Sequence, residues 1–224
     1  EPLIVERFVT GPELAVEGIL TDGDLEVLAV FDKPDPLDGP YFEETIYVSP
    51  SRLHPEVVGA VTNLVAEAAD ALGLVTGPVH AEVRVSHGTP VLIELAARPI
   101  GGHCGRALRF GLLGTSLEHL LLQAAVGGRV DRPGLGAVGA LMLPIPTSGR
   151  LTAVYGLDAA RAIPHVDDVE VAVPIGERID AVPDGDRYLG FAFASADDPA
   201  TVEAALRSVM DTVDVDIDPT GHRS

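Results

Sequence analysis

The sequence predicts an α+β fold: an antiparallel sheet with packed helices, followed by a smaller α+β module. Three observations carry this. The strand-like runs "GPVHAEVRVS" and "PVLIELAAR" are separated only by "HGT", which makes an antiparallel hairpin. A single long amphipathic helix, 55–72, stands beside them. Beyond the Gly-, Pro- and Arg-rich junction "GGRVDRPGLG", short strands alternate with turns and lead to a helix near 198–212.

Taken in chain order, "LIVERFV" and "ELAVEGIL" read as two strands around "TGPE", and "LEVLAVF" as a third entered through "TDGD". "DKPDPLDGPYFEET" is too long for a hairpin turn and reads as a loop of the kind that often carries function. In the helix, Pro55 suits the first position, Glu56 the positive end of the dipole and Gly73 the stop. Val57, Val58, Val61, Leu64, Val65, Ala68 and Leu72 form its apolar stripe. "GRALRFGLLG" and "LEHLLLQAAVG" read as helices, and "AVGALMLPI", "GRLTAVYG", "VEVAVPIG" and "RYLGFAFASA" as the later strands. The expected division is 1–134, 135–215 and a frayed tail, 216–224.

Hydrophobic residues make up 46% of the chain, enough for a real core, with Val, Ala and Leu doing most of the packing because aromatics are only 4%. The net charge of -19 opposes non-specific nucleic-acid binding and binding to anionic membranes. One cysteine excludes an internal disulfide framework and a multi-cysteine zinc site. No run of residues is long and apolar enough to span a membrane, and no signal-peptide pattern opens the chain, so a cytoplasmic setting is expected. The start at "EPLIVERFV", without Met, leads us to expect a piece of a longer chain or a processed product.

Strand alternation places His80, Glu82 and Arg84 on one face and Val79, Ala81, Val83 and Val85 on the other. On the next strand Leu92, Glu94, Ala96 and Arg98 share a face. If His87, Gly88 and Thr89 form a three-residue loop, Ser86 pairs with Pro90 and Glu82 falls opposite Glu94, with Cβ atoms about 5 Å apart. Like charges so placed repel, and a shared proton or a bridging Mg²⁺ would hold them. The spacing leaves a second reading open, in which each Glu pairs with Arg84, Arg98 or Arg106.

Other candidates are weaker in isolation. Glu13, after "TGP", could take the vicinal hydroxyls of a ribose, and Lys33 could reach a phosphate. Arg98 is a cation able to hold a carboxylate in a fork. Gly101 and Gly102 permit close backbone approach. The "PIGGHCG" run is neither a P-loop nor a convincing dinucleotide fingerprint. Cys104 beside His103 reads as buried packing, and the histidines lack zinc-ligand spacing.

In the order "VERFVTGPE", "DK" with "PYFEET", "ALGLVTGPVHAEVRV" and "VLIELAARPIGG", the chain resembles the C-terminal half of an ATP-grasp enzyme. The resemblance implies that Glu6 offers its carbonyl and Val9 its N–H to adenine, and that Glu13 binds the ribose. It implies that Glu82 and Glu94 hold Mg²⁺, as two ions, between the ATP phosphates. Many members carry Asn two residues after the second carboxylate; here Ala96 stands there, as in the branch resembling bacterial L-amino-acid ligases, with "H-x-E" and "E-x-A-x-R". In that branch Arg98 holds a substrate carboxylate or the reacting phosphate, and Gly101 and Gly102 lie near substrate. Residues 136–212 resemble the small extra C-terminal domain of those ligases.

The expected activity is thus that of an ATP-dependent carboxylate–amine ligase working through an acyl phosphate. The partners are small-molecule substrates and N-terminal domains of the same protein, and a homodimer is allowed. A biotin-carboxylase-like or purine-pathway enzyme and a non-catalytic binding module are the alternatives. The phosphate-gripping lobe of a full enzyme would precede residue 1, so this chain by itself is expected to be inactive.

Overall fold

The computed structural model describes residues 3–37, 39, 41–101, 103–111, 114–128 and 136–219. The elements are β1 (Glu13–Thr21), β2 (Asp24–Lys33), β3 (Ile46–Ser49), α1 (Pro55–Ala71), β4 (Gly77–Ser86) and β5 (Thr89–Ala96). A single 3-10 turn, Cys104–Arg106, leads into α2 (Ala107–Gly111) and α3 (Leu117–Ala125). Then follow β6 (Ala137–Leu143), β7 (Gly149–Tyr155), α4 (Leu157–Arg161), β8 (Val166–Val171), β9 (Arg178–Ile179), β10 (Gly190–Ala196), α5 (Pro199–Thr212) and β11 (Asp214–Asp218). One eight-stranded antiparallel sheet runs β5-β4-β1-β2-β3-β6-β10-β8, and a three-stranded sheet runs β11-β7-β9.

Period-two alternation sorts the large sheet into two faces. Leu14 and Val16 of β1, and Val79, Ala81 and Val83 of β4, pack under α1 against Val61, Val65 and Ala69. The opposite face carries Ala15, Phe31, Tyr47, Met142 and Phe193 beneath α2 and α3. Toward the far edge, Ile46, Val48, Leu141 and Ala192 pack with Val202, Leu206 and Val209 of α5. Helix ends follow ordinary chemistry: Pro55 and Pro199 sit in the first turns of α1 and α5, and Asp198 caps α5 by accepting from the N–H groups of Ala200 and Thr201.

Several expectations need correction. "LIVERFV" is not a strand: Leu3, Ile4 and Val5 are almost fully exposed and have no ladder partner among the described residues. Strand propensity without a paired edge does not make a strand. Leu72, placed on the stripe of the long helix, is 63% exposed, and Ala69 is buried instead. The short strands β3 and β9, and α4, escaped the sequence reading. Asp216, Ile217 and Asp218, expected in the tail, end β11 and pair with β7. The remaining tail, 220–224, and the 134/135 division lie outside the described residues, but strands from both sides of that division share the large sheet.

The hairpin differs in an instructive way. Ser86 pairs with Thr89, so the turn has two residues, His87 and Gly88, both at positive φ (51° and 80°). Such a turn would put Ile93 opposite Glu82. A β-bulge between Glu82 and Val83 absorbs one residue, and Glu82 still faces Glu94. The bulge also explains why Leu92 and Leu95, three apart, both pack on the α1 core. Leu92 and Glu94 therefore do not share a face as simple alternation predicts.

Candidate functional site

Three neighbouring strands present charged residues on the face away from α1. Register places Glu13 of β1 between Lys33 of β2 and Arg84 of β4, giving a lateral row of alternating sign. One step along, Ala15 lies between Phe31 and Glu82, and its small side chain leaves room for Glu82 to reach the row. One step further, Glu17 faces His80.

Lys33 is the hub. Its Nζ lies 2.6 Å from Glu13, 2.5 Å from Glu44 and 2.8 Å from Glu82, and its side chain is only 3% exposed. Burial by itself would lower its pKa, but the fields of Glu44 and Glu82 hold the ammonium above its ordinary range. Tyr47 donates its hydroxyl to Glu44 at 2.6 Å. Both oxygens of Glu13 are taken, one by Lys33 and the other by Arg84 Nε at 2.7 Å.

Arg84 ties two irregular segments to the sheet. It donates to the carbonyls of Val9 (2.7 Å) and Leu37 (2.6 Å), and its guanidinium lies over Phe8 and Phe42. These contacts shape a cleft of about 670 Å³ lined by Glu6, Val9, Glu13, Glu44, Glu82 and Ile93, among others.

Glu17, His80 and Glu82 form a second chain of contacts. Glu17 is fully buried, hydrogen-bonds the His80 ring and accepts from the N–H of Ile100 at 3.0 Å. Burial raises its pKa. Burial opposes charge on His80 too, but the hydrogen bond to Glu17 and the Glu82 carboxylate 3.9 Å away outweigh it and raise its pKa to about 9. The neighbouring His80 ring, aided by the Lys33 ammonium, lowers Glu82 to about 2. Glu82 is therefore an anion throughout the neutral range.

The predicted residues divide into groups. Glu6, Val9, Glu13 and Glu82 line the cleft, and Lys33 meets Glu13 and Glu82 beneath it. Glu94 is the register partner of Glu82, but its half-exposed carboxylate lies 3.5 Å from Arg98. Arg98 and Gly101 line a second cavity of about 230 Å³ with His80, Cys104, Tyr188 and Phe191. Glu44 and Glu82 border both cavities. Gly102 lies outside the described residues. Cys104 is buried, and burial pushes its thiol up to about 12, which suits packing rather than nucleophilic attack.

Sequence reading missed Glu44, Tyr47 and the Glu17–His80 pair. Glu17 had a signal: it sits in "ELAVEGIL" on the face of Glu13, a second carboxylate within an apolar strand. Glu44, in a loop, had none.

Carboxylate oxygens are the donor type that a hard divalent ion takes, and here an ammonium already fills the cationic place. Carboxylate oxygens of Glu13, Glu44 and Glu82 lie within 4.8 Å of one another, and the Lys33 ammonium stands among them as a cation.

Known proteins share this fold. Residues 1–107 match the ATP-grasp domain model, and residues 141–218 match L-amino acid ligase C-terminal domain 2. The L-amino acid ligase from Bacillus licheniformis superposes with a TM-score of 0.84 at 29% identity, covering 94% of this chain and 53% of that one. The alanine–anticapsin ligase of Bacillus subtilis is 28% identical over 141 residues, 57% of this chain and 29% of that protein. An uncharacterized protein of Sinorhizobium fredii is 26% identical over 222 residues, 97% of this chain and 45% of its own length. The chain thus spans about half the length, or less, of the relatives it matches. The chain is thus similar to ATP-grasp proteins over residues 1–107 and to L-amino acid ligases over residues 141–218.

Proposed function

We propose that the protein containing this chain is an ATP-dependent carboxylate–amine ligase that joins an amino acid to a second small molecule. The observation that carries this is the position of Glu82: an anion held by Lys33 and His80, bordering both the larger cleft and the smaller cavity. A nucleotide in the cleft of about 670 Å³ would bring its phosphates to the carboxylate wall, and a substrate in the cavity of about 230 Å³ would meet that wall from the other side.

In this reading the substrate carboxylate attacks the γ-phosphorus of ATP, forming an acyl phosphate and releasing ADP. The amine then attacks the acyl carbon, forming the amide and expelling phosphate. Glu82 and Glu94, with Glu44 adjacent, would hold Mg²⁺, which neutralises charge on the phosphates when bound. Lys33 and His80 fix Glu82 in place and keep it ionised. Arg98, beside Gly101 on the cavity wall, is placed to orient a carboxylate or the transferring phosphate. Glu6 and Val9 offer backbone groups at the cleft, where adenine would lie, and Glu13 lies nearby on the ribose side. No side-chain nucleophile is required, since positioning and electrostatics supply most of phosphoryl-transfer catalysis.

The test uses the full-length protein with ATP, Mg²⁺ and L-amino acids supplied singly and in pairs. Phosphate release is measured, and mass spectrometry follows the amide product. Glu82→Ala and Glu94→Ala are expected to lower turnover by roughly 100-fold or more. Full turnover in both variants, or no turnover in wild type with any pair, sinks the proposal. Residues 1–224 alone are expected to give none, and turnover by that chain would refute this part.

A further inference from the structure

The turn after Arg98 is suspended between two anchors. At its start, the Ile100 N–H donates to the buried Glu17 of β1. At its end, His103 and Arg106 reach across to β8 and β10. Arg106 places one guanidinium nitrogen 2.6 Å from Glu170 Oε2 and the other 3.1 Å from Asp168. His103 Nδ1 lies 2.5 Å from the remaining Glu170 oxygen. The same two side chains stack on the adjacent strand: His103 lies parallel to Phe191 at 4.8 Å, and Arg106 lies over Phe193 at 4.7 Å.

Between the anchors, Gly101 has open space where a Cβ would be. Gly101 has no side chain to anchor the turn, which is held instead by Ile100 packed on the core beneath α2 and α3 and by the two anchors. The far anchor also reaches the cavity directly, because Phe191 and Cys104 are both in its wall. His103 is thus stacked on a ring of the cavity wall, and Gly101 and Cys104 of the turn lie in the same wall. The individual ion pairs are partly exposed and each is modest, but they converge on one carboxylate and two stacked rings.

We propose that the clamp of His103 and Arg106 on Glu170, Asp168 and Phe191 positions the substrate-side turn, so that strands β8 and β10 set which small molecule the cavity accepts. His103, Arg106 and Glu170 are positioning residues. The nature of the ligand rests on the ligase reading; the geometry of the clamp does not.

Arg106→Gln, Glu170→Gln and the double variant are compared with wild type in the full-length protein. Alkylation of Cys104 by iodoacetamide, read by peptide mass spectrometry, reports the turn without any substrate. Separate KM values for ATP and for the L-amino acid giving the highest turnover report the two cavities, and thermal midpoints report global stability. Cys104 alkylation is expected to rise roughly tenfold through local opening. The amino-acid KM is expected to rise roughly two- to fivefold, the size of a partly exposed ion pair, with the ATP KM unmoved. The double variant is expected to exceed either single variant by less than their sum, because Arg106 and Glu170 share one ion pair while Glu170 also holds His103 and Arg106 also meets Asp168.

Unchanged alkylation overturns the proposal, as do ATP and amino-acid KM values that rise together with a falling thermal midpoint. Should Arg106→Gln not fold, Arg106→Lys keeps the charge, loses the two-armed geometry and reads the same shifts. Wild-type turnover with unshifted variant KM values sinks the specificity claim alone. No wild-type turnover with any amino acid sinks that claim and the ligase reading together, while the alkylation result still decides whether β8 holds the turn.

Discussion

At His80 a ring that would be half-neutral near neutral pH is held charged by two carboxylates, Glu17 and Glu82. Its pKa in the folded chain is about 9, above its ordinary 6.5. A raised pKa stabilises the fold fully below the unfolded value and loses that stabilisation as pH rises through the folded one. The window is therefore roughly pH 6.5 to 9. In EDTA, urea unfolding is expected to show a loss on the order of 2 kcal/mol across that window. His80→Gln should flatten that slope, and an equal slope in the variant would assign it to other groups. Lys33 illustrates the same physics with the opposite exposure to titration: three carboxylates keep it charged well beyond any working pH.

At the scale of the element, the β4–β5 hairpin decides where Glu94 lies. Its two-residue turn needs positive φ at both His87 and Gly88. Space is open around Gly88, so a side chain there would strain the backbone rather than clash. Gly88→Ala is expected to cost about 1 kcal/mol in equilibrium unfolding. His87→Asn, which tolerates the left-handed region better, is expected to be neutral or slightly stabilising. A Gly88→Ala protein as stable as wild type would mean that the turn is not of this type. The bulge beside Glu82 then offsets the short turn by one residue, which restores the Glu82–Glu94 pairing that a regular ladder would lose.

Across the whole molecule, the eight-stranded sheet joins strands from before and after the 129–135 segment. The cluster beneath α2 and α3 draws Ala15 and Phe31 from one side and Met142 and Phe193 from the other. Ion pairs add to this: Arg207 of α5 meets Asp35 after β2 at 2.8 Å, and Arg52 meets Glu203 at 2.7 Å. A shared sheet and core are expected to make the unit from β1 to β11 unfold in one cooperative transition. Calorimetry checks this through the ratio of calorimetric to van't Hoff enthalpy, and two resolved transitions would contradict it. The exposed run Leu3, Ile4 and Val5 stands outside this unit.

The sequence by itself determined the α+β class, the long helix, both strands of the hairpin and the alternation that puts His80, Glu82 and Arg84 on one face. These rest on local period and turn chemistry, which are written within a few residues. It also carried the resemblance to ATP-grasp enzymes, through motifs in order along the chain. Only the tertiary structure decided the rest. The gathering of Glu13, Glu44 and Glu82 around Lys33 depends on strand order and on a loop carboxylate far away in sequence. The Glu17–His80 contact depends on the β1–β4 register, and the facing of Glu82 and Glu94 on a bulge that no residue type announces. Register and strand order are set by non-local packing of both sheet faces, which short-range pattern does not encode.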